Sequence, residues 1–184
     1  MTDGKGETVY FSEAVIIFTS NLGIYEQTAS GERVQLVSPE MSYEEIKNHV
    51  RQGIENYFKT QLGRPEILNR IGENIVVFDF IRPEVAERIL RARIEKITAN
   101  LRTEKRIDLQ MADRAWAVLL ERAVSNLENG GRGIGNIVES LFVNPLSRYL
   151  FDNGLFSDCR ICVEDIQAEQ MPYTLICRVG GRQI

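Results

Sequence analysis

In ENGGRGIGN, Glu128 to Asn136, glycines alternate with other residues around a single arginine, Arg132. Small residues let backbone N–H groups approach an anion, and an arginine adds a planar cation, so the stretch could cradle phosphate. A dinucleotide-binding G-x-G-x-x-G loop would follow a strand, whereas here a helical pattern precedes it. A P-loop needs G-x-x-x-x-G-K-[ST], and the one Gly-Lys pair, Gly4 with Lys5, is followed by Gly6. After the glycines, Ile134, Ile137, Val138, Leu141 and Phe142 recur at helical spacing, which places Arg132 at or just before a helix N-terminus. Unpaired N–H groups and the helix dipole favour an anion there. A plain interhelical turn with a solvated arginine satisfies the same pattern.

Two further side chains could meet phosphate. Asn21 ends EAVIIFTSN, and an amide at the carboxyl end of a buried strand can orient a water or touch a phosphate oxygen. Alternatively, Thr19, Ser20 and Asn21 end the strand and start a turn. Arg70 lies in RPEILNRIGE, where Ile67, Leu68 and Ile71 anchor a helical turn and leave Arg64 and Arg70 outward. A guanidinium so presented can stabilise charge on a transferring phosphoryl group of an adjacent subunit, or simply form a surface ion pair. Metal and nucleophile chemistry find weaker support. Cys159 and Cys162 form a C-x-x-C with Cys177 further on, but on a strand the first two would project from opposite faces. The only histidine, His49, falls on a helix in a different part of the chain, so no Cys-His or Ser-His-Asp system and no metal site are expected.

The elements that must position these side chains belong to a chain of 184 residues, enough for a sizeable core in one domain or two small ones. Net charge of −4 and pI near 5.2 are the wrong sign for a nucleic-acid binder. With no long apolar run, no secretory signal in MTDGKGETVY and no disulfide framework, the expected setting is a reducing cytoplasm without membrane insertion. The basic group from Arg82 to Arg106 reads as a solvated helix face, with Glu84–Arg88 and Glu87–Arg91 at pairing distance.

Val15 to Phe18 reads as a buried strand, followed by a polar loop to Pro39. Ser42 and Glu45 make a capping box for a helix over Tyr43–Thr60 with Ile46, Val50, Ile54, Phe58 and Leu62 on one face. Asn74 to Phe80 reads as a second buried strand, and two such strands around a helix suggest a parallel α/β sheet. Two strands cannot complete one, so further strands are expected upstream. Pro83 opens a helix with an apolar stripe of Val85, Ile89, Ile94, Ile97 and Leu101. A strand near Arg106–Leu109, a helix over Ala112–Val124, the glycine stretch, a long helix to Asp152 and strands near Ile161–Ile166 and Thr174–Val179 then suggest a smaller α+β unit. The boundary is expected near Ile81–Pro83.

The order of these pieces matters more than any one of them. TDGKGETVYFSEAVIIFTSNLG resembles the segment of Clp/ClpB-type AAA+ ATPases from after Walker B through the sensor 1 strand. YEEIKNHV and GRPEILNRI resemble the next helix and arginine-finger turn. GGRGIGNIVESLFVNPLSRYLFDNG is similar to the sensor 2 helix and its NPL segment, so the likeness covers about residues 2 to 165 in order. The resemblance implies that Asn21 is sensor 1, Arg70 the trans-acting arginine finger and Arg132 sensor 2. It divides the chain into a partial AAA+ large subdomain with an incomplete parallel sheet, 1–81, and a small α+β lid subdomain, 82–184. It also implies ATP with Mg, an N-terminal AAA+ half or neighbouring ring subunits as partners, and a protein substrate for an unfolding or remodelling machine. Gly63, Gly72 and the sequence Gly131-Arg132-Gly133-Ile134 depart from the pattern, the last putting glycine where proline is usual. Walker A, Walker B and the Mg ligands are absent from this sequence, so the isolated chain is expected to hydrolyse nothing. The alternative is a stand-alone module that docks on a complete AAA+ ring and regulates it.

Overall fold

The computed structural model describes residues 2, 4–8, 10, 12–28, 30–125 and 127–180. The chain falls into two compact units, Met1–Asp79 and Phe80–Ile184.

In the first unit, α1 (Tyr43–Asn56) starts as its sequence demands. Ser42 Oγ accepts from the Glu45 N–H, and the Ser42 N–H donates to Glu45 Oε2 at 2.8 Å. The hydrogen bonds from Ser42, side chain first, hold the Glu45 carboxyl below its ordinary value. Ile46 and Val50 are buried, and burial fades along the stripe as the helix widens into a π-type turn over Tyr57–Gln61. The polar stretch expected as a loop contains an antiparallel hairpin of β1 (Tyr25–Gln27) and β2 (Arg33–Gln35), with the Arg33 guanidinium 4.8 Å from the Tyr25 ring centre. A short helix, α2 (Pro65–Ile71), follows, with proline in its first turn.

Among the described residues, the two runs expected as buried strands join no sheet and bury none of their side chains fully. Val15 and Phe18 are 88% and 85% exposed, and Ile16 and Ile17 are also exposed. Along the second run exposure alternates. Ile75 and Val77 are half-buried, Val76 and Phe78 are exposed, and the Tyr43 hydroxyl donates to the Val77 carbonyl at 3.2 Å. That alternation is the period of a strand with one covered face. The apolar pattern led to the expectation of two strands, and the described residues offer these runs no ladder partner.

The second unit is closed. Helix α3 (Pro83–Asn100) buries Ala86, Leu90 and Ile94, so the buried line runs one residue away from the expected start and Val85 ends on the outside. Helix α4 (Asp113–Val124) buries Ala115, Leu119 and Ala123. A continuous helical rod follows: α5 (Gly130–Val138), a π-type turn over Glu139–Val143 and α6 (Asn144–Asp152). These helices pack with a mixed sheet in the order β3 (Ile107–Met111), β4 (Cys159–Gln167), β5 (Thr174–Gly180), parallel in the first pair and antiparallel in the second. Ile107, Ile161 and Val163 from the sheet and Leu90, Leu119, Ile134 and Phe142 from the helices are almost fully buried.

Ion pairs on the wet face fix the β3–β4 register. Asp108 accepts from Arg102 at 2.7 Å and from Arg160 at 2.9 Å. Arg106 grips both oxygens of Asp158, and both residues sit at φ +54° where the chain turns into its strands. Arg106 and Ser157 pull the Asp158 carboxyl down to about 2. A carboxylate whose folded value lies below its ordinary 3.8 stabilises the fold above that value and loses the contribution as pH falls toward 2. We expect Asp158→Asn to lower the melting temperature at pH 5 by a few degrees and to shrink that deficit as pH falls from 4 to 2, read by circular dichroism.

Candidate functional site

Asn21 is exposed and sits at the start of a tight turn rather than at the end of a paired strand. The Ile24 N–H donates to its carbonyl at 3.3 Å and the Leu22 N–H to Ser20 Oγ at 3.0 Å. Two residues on, Gly23 lies buried against α1 at φ +78°. A Cβ on Gly23 would fall 2.7 Å from Val50 Cα and O, and one on Gly53 would fall 2.3 Å from Gly23 Cα. Bare backbone therefore meets bare backbone, and this contact sets where Asn21 stands relative to α1.

Arg70 occupies the last turn of α2, exposed and without an ion pair or hydrogen bond among the described residues. Gly72 closes the helix at φ +56°, a conformation that favours glycine, and Asn74 Nδ2 donates to the Ile71 carbonyl at 3.0 Å. Glycine in this place thus makes a sharp helix end. A nearby depression of about 330 Å³ is lined by residues that include Arg51, Glu55, Lys59 and Glu73. Arg51 pairs with Glu73 at 3.2 Å and Lys59 with Glu55 at 2.9 Å, so its wall carries balanced charge and does not single out an anion.

Arg132 is the third residue of α5, exposed and again without a partner among the described residues. The glycine stretch is thus the helix's opening turns rather than a loop before it. Its usual proline is replaced, yet the turn is anchored, because Gly133 and Ile134 are buried and Val138 and Phe142 continue the seam into the core. The dipole of α5 favours an anion beside Arg132. The exposed polar ends of Arg132, Asn21 and Arg70 have the chemistry to meet phosphate oxygens. Asn21 and Arg70 belong to one unit and share no hydrogen bond, and Arg132 belongs to the other.

The cysteines have a structural character. Cys159 is buried, Cys162 and Cys177 are half-buried, and burial, with Cys162 and Glu164 nearby, pushes the Cys177 thiol up to about 11. Among the described residues no group of three or more His, Cys, Asp or Glu is placed to hold a metal, and no helix is long and apolar enough to cross a membrane. Glu87 pairs with Arg91 as its spacing suggests, at 3.0 Å, and Arg91 also lies over the Trp116 ring, whereas Glu84 and Arg88 form no ion pair. Among the contacts that the sequence did not announce are the Tyr43–Val77 bond and Arg93 lying against Gly135. Both join elements distant in sequence, and no local pattern signals them.

A mixed sheet packed with helices, one of them opened by glycines and an exposed arginine, is the architecture of an AAA+ small subdomain of the Clp class. Residues 81–163 match the family model described as the C-terminal, D2-small domain of ClpB protein. The chain is 31% identical over 170 residues to the chaperone protein ClpB of Propionibacterium freudenreichii subsp. shermanii, covering 91% of this chain and 17% of that one. It is 34% identical over 151 residues to the ClpB of Meiothermus ruber, covering 80% and 16%, and 33% identical over 150 residues to that of Dichelobacter nodosus, covering 82% and 16%. The chain spans about one sixth of the length of these curated relatives. By sequence kinship it belongs with the C-terminal part of ClpB-type AAA+ ATPases.

Two glycines separate space from propensity. Alanine at Gly53 would gain up to about 1 kcal/mol in helix propensity, but its Cβ would overlap Gly23 backbone at 2.3 Å, and such overlap costs about 1–3 kcal/mol. At Gly131 a Cβ would meet only Ile81 Cδ1 at 3.5 Å, an ordinary contact. We expect Gly53→Ala to lower the urea midpoint of the first unit and Gly131→Ala to raise that of the second. Equal shifts of one sign would contradict the Gly23–Gly53 contact.

Proposed function

We propose that this chain supplies three nucleotide-sensing side chains to an ATP-driven, ClpB-type protein-remodelling machine of the cytoplasm: Asn21 as sensor 1, Arg70 as arginine finger and Arg132 as sensor 2. The observation that carries the reading is the pair of uncovered apolar runs, with Val15 and Phe18 almost fully exposed and Val76 and Phe78 facing solvent. Residues apolar at every position of a run belong in the middle of a sheet, flanked on both edges and covered on both faces. Strands of the N-terminal half of an AAA+ large subdomain would cover them and bring the lysine and acid that this sequence lacks. The same half, or a neighbouring subunit, would complete the nucleotide site.

In that setting ATP with Mg supplies the phosphoryl group and its bound metal. This chain's share is orientation and charge: Asn21 orients a water, Arg132 holds a phosphate oxygen and senses the lid's position, and Arg70 neutralises charge on the next subunit's nucleotide. The free state of all three polar ends suits this division of roles.

A second reading has its own support in the same exposed apolar runs, since an uncovered apolar surface can dock on another protein. In it the chain docks on a complete AAA+ ring and regulates it without ever joining a catalytic site.

The two readings part in one assay. We expect the isolated chain to hydrolyse no ATP. Mixed or co-expressed with a ClpB-type half bearing Walker A and B, it should restore turnover, and Arg70→Ala should lower that turnover by about 10³-fold while nucleotide affinity stays within about twofold. Failure to restore turnover, together with a changed ATPase rate of an intact ring, would favour the regulator. Turnover by the isolated chain that survives Asn21→Ala and Arg132→Ala would remove both.

A further inference from the structure

Arg93 stands on α3, and its guanidinium lies flat against α5. A Cβ built on Gly135 would sit 3.3 Å from Arg93 Nη2 and 3.4 Å from both Cζ and Nη1, and such near-equal distances mean that the plane of the group faces the glycine. The seat exists because residue 135 has no side chain. Gly135 follows Arg132 by three residues in the same helix, so the two positions are neighbours on one face, with about 5–6 Å between Cβ positions.

Neither arginine has an acceptor among the described residues, although Arg91 on the same helix is neutralised by Glu87. Two exposed guanidinium groups on one face of α5, neither paired with a carboxylate among the described residues, repel each other. An anion carrying several charged oxygens would turn that repulsion into two sets of charge-assisted hydrogen bonds, and a planar fork on each side suits phosphoryl groups in series.

We propose that Arg93 is a second polyphosphate-binding residue, acting with Arg132 on the phosphates of a nucleotide, and that Gly135 is the space that seats it. This rests on the reading of Arg132 as a nucleotide-contacting residue.

The test uses the full 184-residue chain, titrated with tripolyphosphate at low ionic strength and followed by calorimetry and by the amide resonances of Gly130 to Asn136. Arg93→Gln and Gly135→Leu should each weaken binding about fivefold, the second by displacing the guanidinium without changing net charge. Arg132→Gln should weaken it at least as much. Arg88→Gln removes the same charge from an exposed, unpaired arginine of the same helix and should change affinity less than twofold. Wild-type affinity in Arg93→Gln and Gly135→Leu, with loss in Arg132→Gln, overturns the role of Arg93 and leaves that of Arg132 standing. An unchanged Arg132→Gln removes both roles. An Arg88→Gln as weak as Arg93→Gln reduces the effect to net charge and also overturns the proposal.

Discussion

An extended chain segment lowers the free energy of a protein only when its backbone groups find ladder partners and its side chains find cover. Val15 to Phe18 have neither among the described residues, though every one of these four side chains is apolar. On the usual scale, each such side chain left in water forgoes about 1.5–3 kcal/mol of burial. The helix beside them is formed all the same. Its capping box, its buried Ile46 and Val50 and the backbone contact of Gly23 with Gly53 do not need the missing cover. The first unit is therefore a framework with an open flank, and an open flank of this composition invites other strands, whether productive partners or copies of itself.

The second unit satisfies the same requirement internally. Its strands pair in one sheet, and the buried faces of the helices and of the sheet meet in a core that includes Phe142, Leu119 and Ile161. The register of β3 against β4 is set from both sides: apolar alternation puts Ile107, Leu109, Ile161 and Val163 inward, and outside, Asp108 ties Arg102 and Arg160 together. A one-residue slip would expose the first set and break the second. Arg132 inherits this rigidity, since Ile134 and Val138, the next turns of its own helix, are locked in the core.

What was legible in the sequence follows from how far each signal reaches along the chain. Helices announced themselves through caps and 3.6-residue periodicity, which are complete within a dozen residues, and Ser42 with Glu45 behaves as its spacing requires. The strands of the second unit were legible for the same reason. On α3 the expected stripe holds from Ile89 to Leu101 and fails at its start, because Val85 and Ala86 are both apolar and only packing decides that the smaller faces inward. The runs at Val15–Phe18 and Val76–Phe78 were expected as buried strands and are neither strands nor buried among the described residues, since pairing depends on partners and not on the run itself. The candidates Asn21, Arg70 and Arg132 were drawn from the order of motifs, and the structure leaves each of them exposed. Arg93 was not legible in the sequence, because a null side chain at 135 acquires meaning only when α3 is known to cross α5 there.

The difference between the two units bears on how the proposed sensors would work. Arg132 is fixed by a closed core and would meet a phosphate with little reorganisation, so its contribution would follow wherever the lid carries it. Asn21 is three residues from Phe18, the end of an uncovered run, and is held from the other side by the turn bond from the Ile24 N–H and by the Gly23–Gly53 contact. Its upstream half is defined only when that run is paired. If strands of another AAA+ segment take up the run, the same event that buries Val15 to Phe18 would fix the second anchor of Asn21, so the water-orienting amide would be set when the rest of the site arrives. On the proposed reading, a sensor organised this way would be idle until its sheet is complete, which would tie hydrolysis to assembly through burial energy and not through any separate switch.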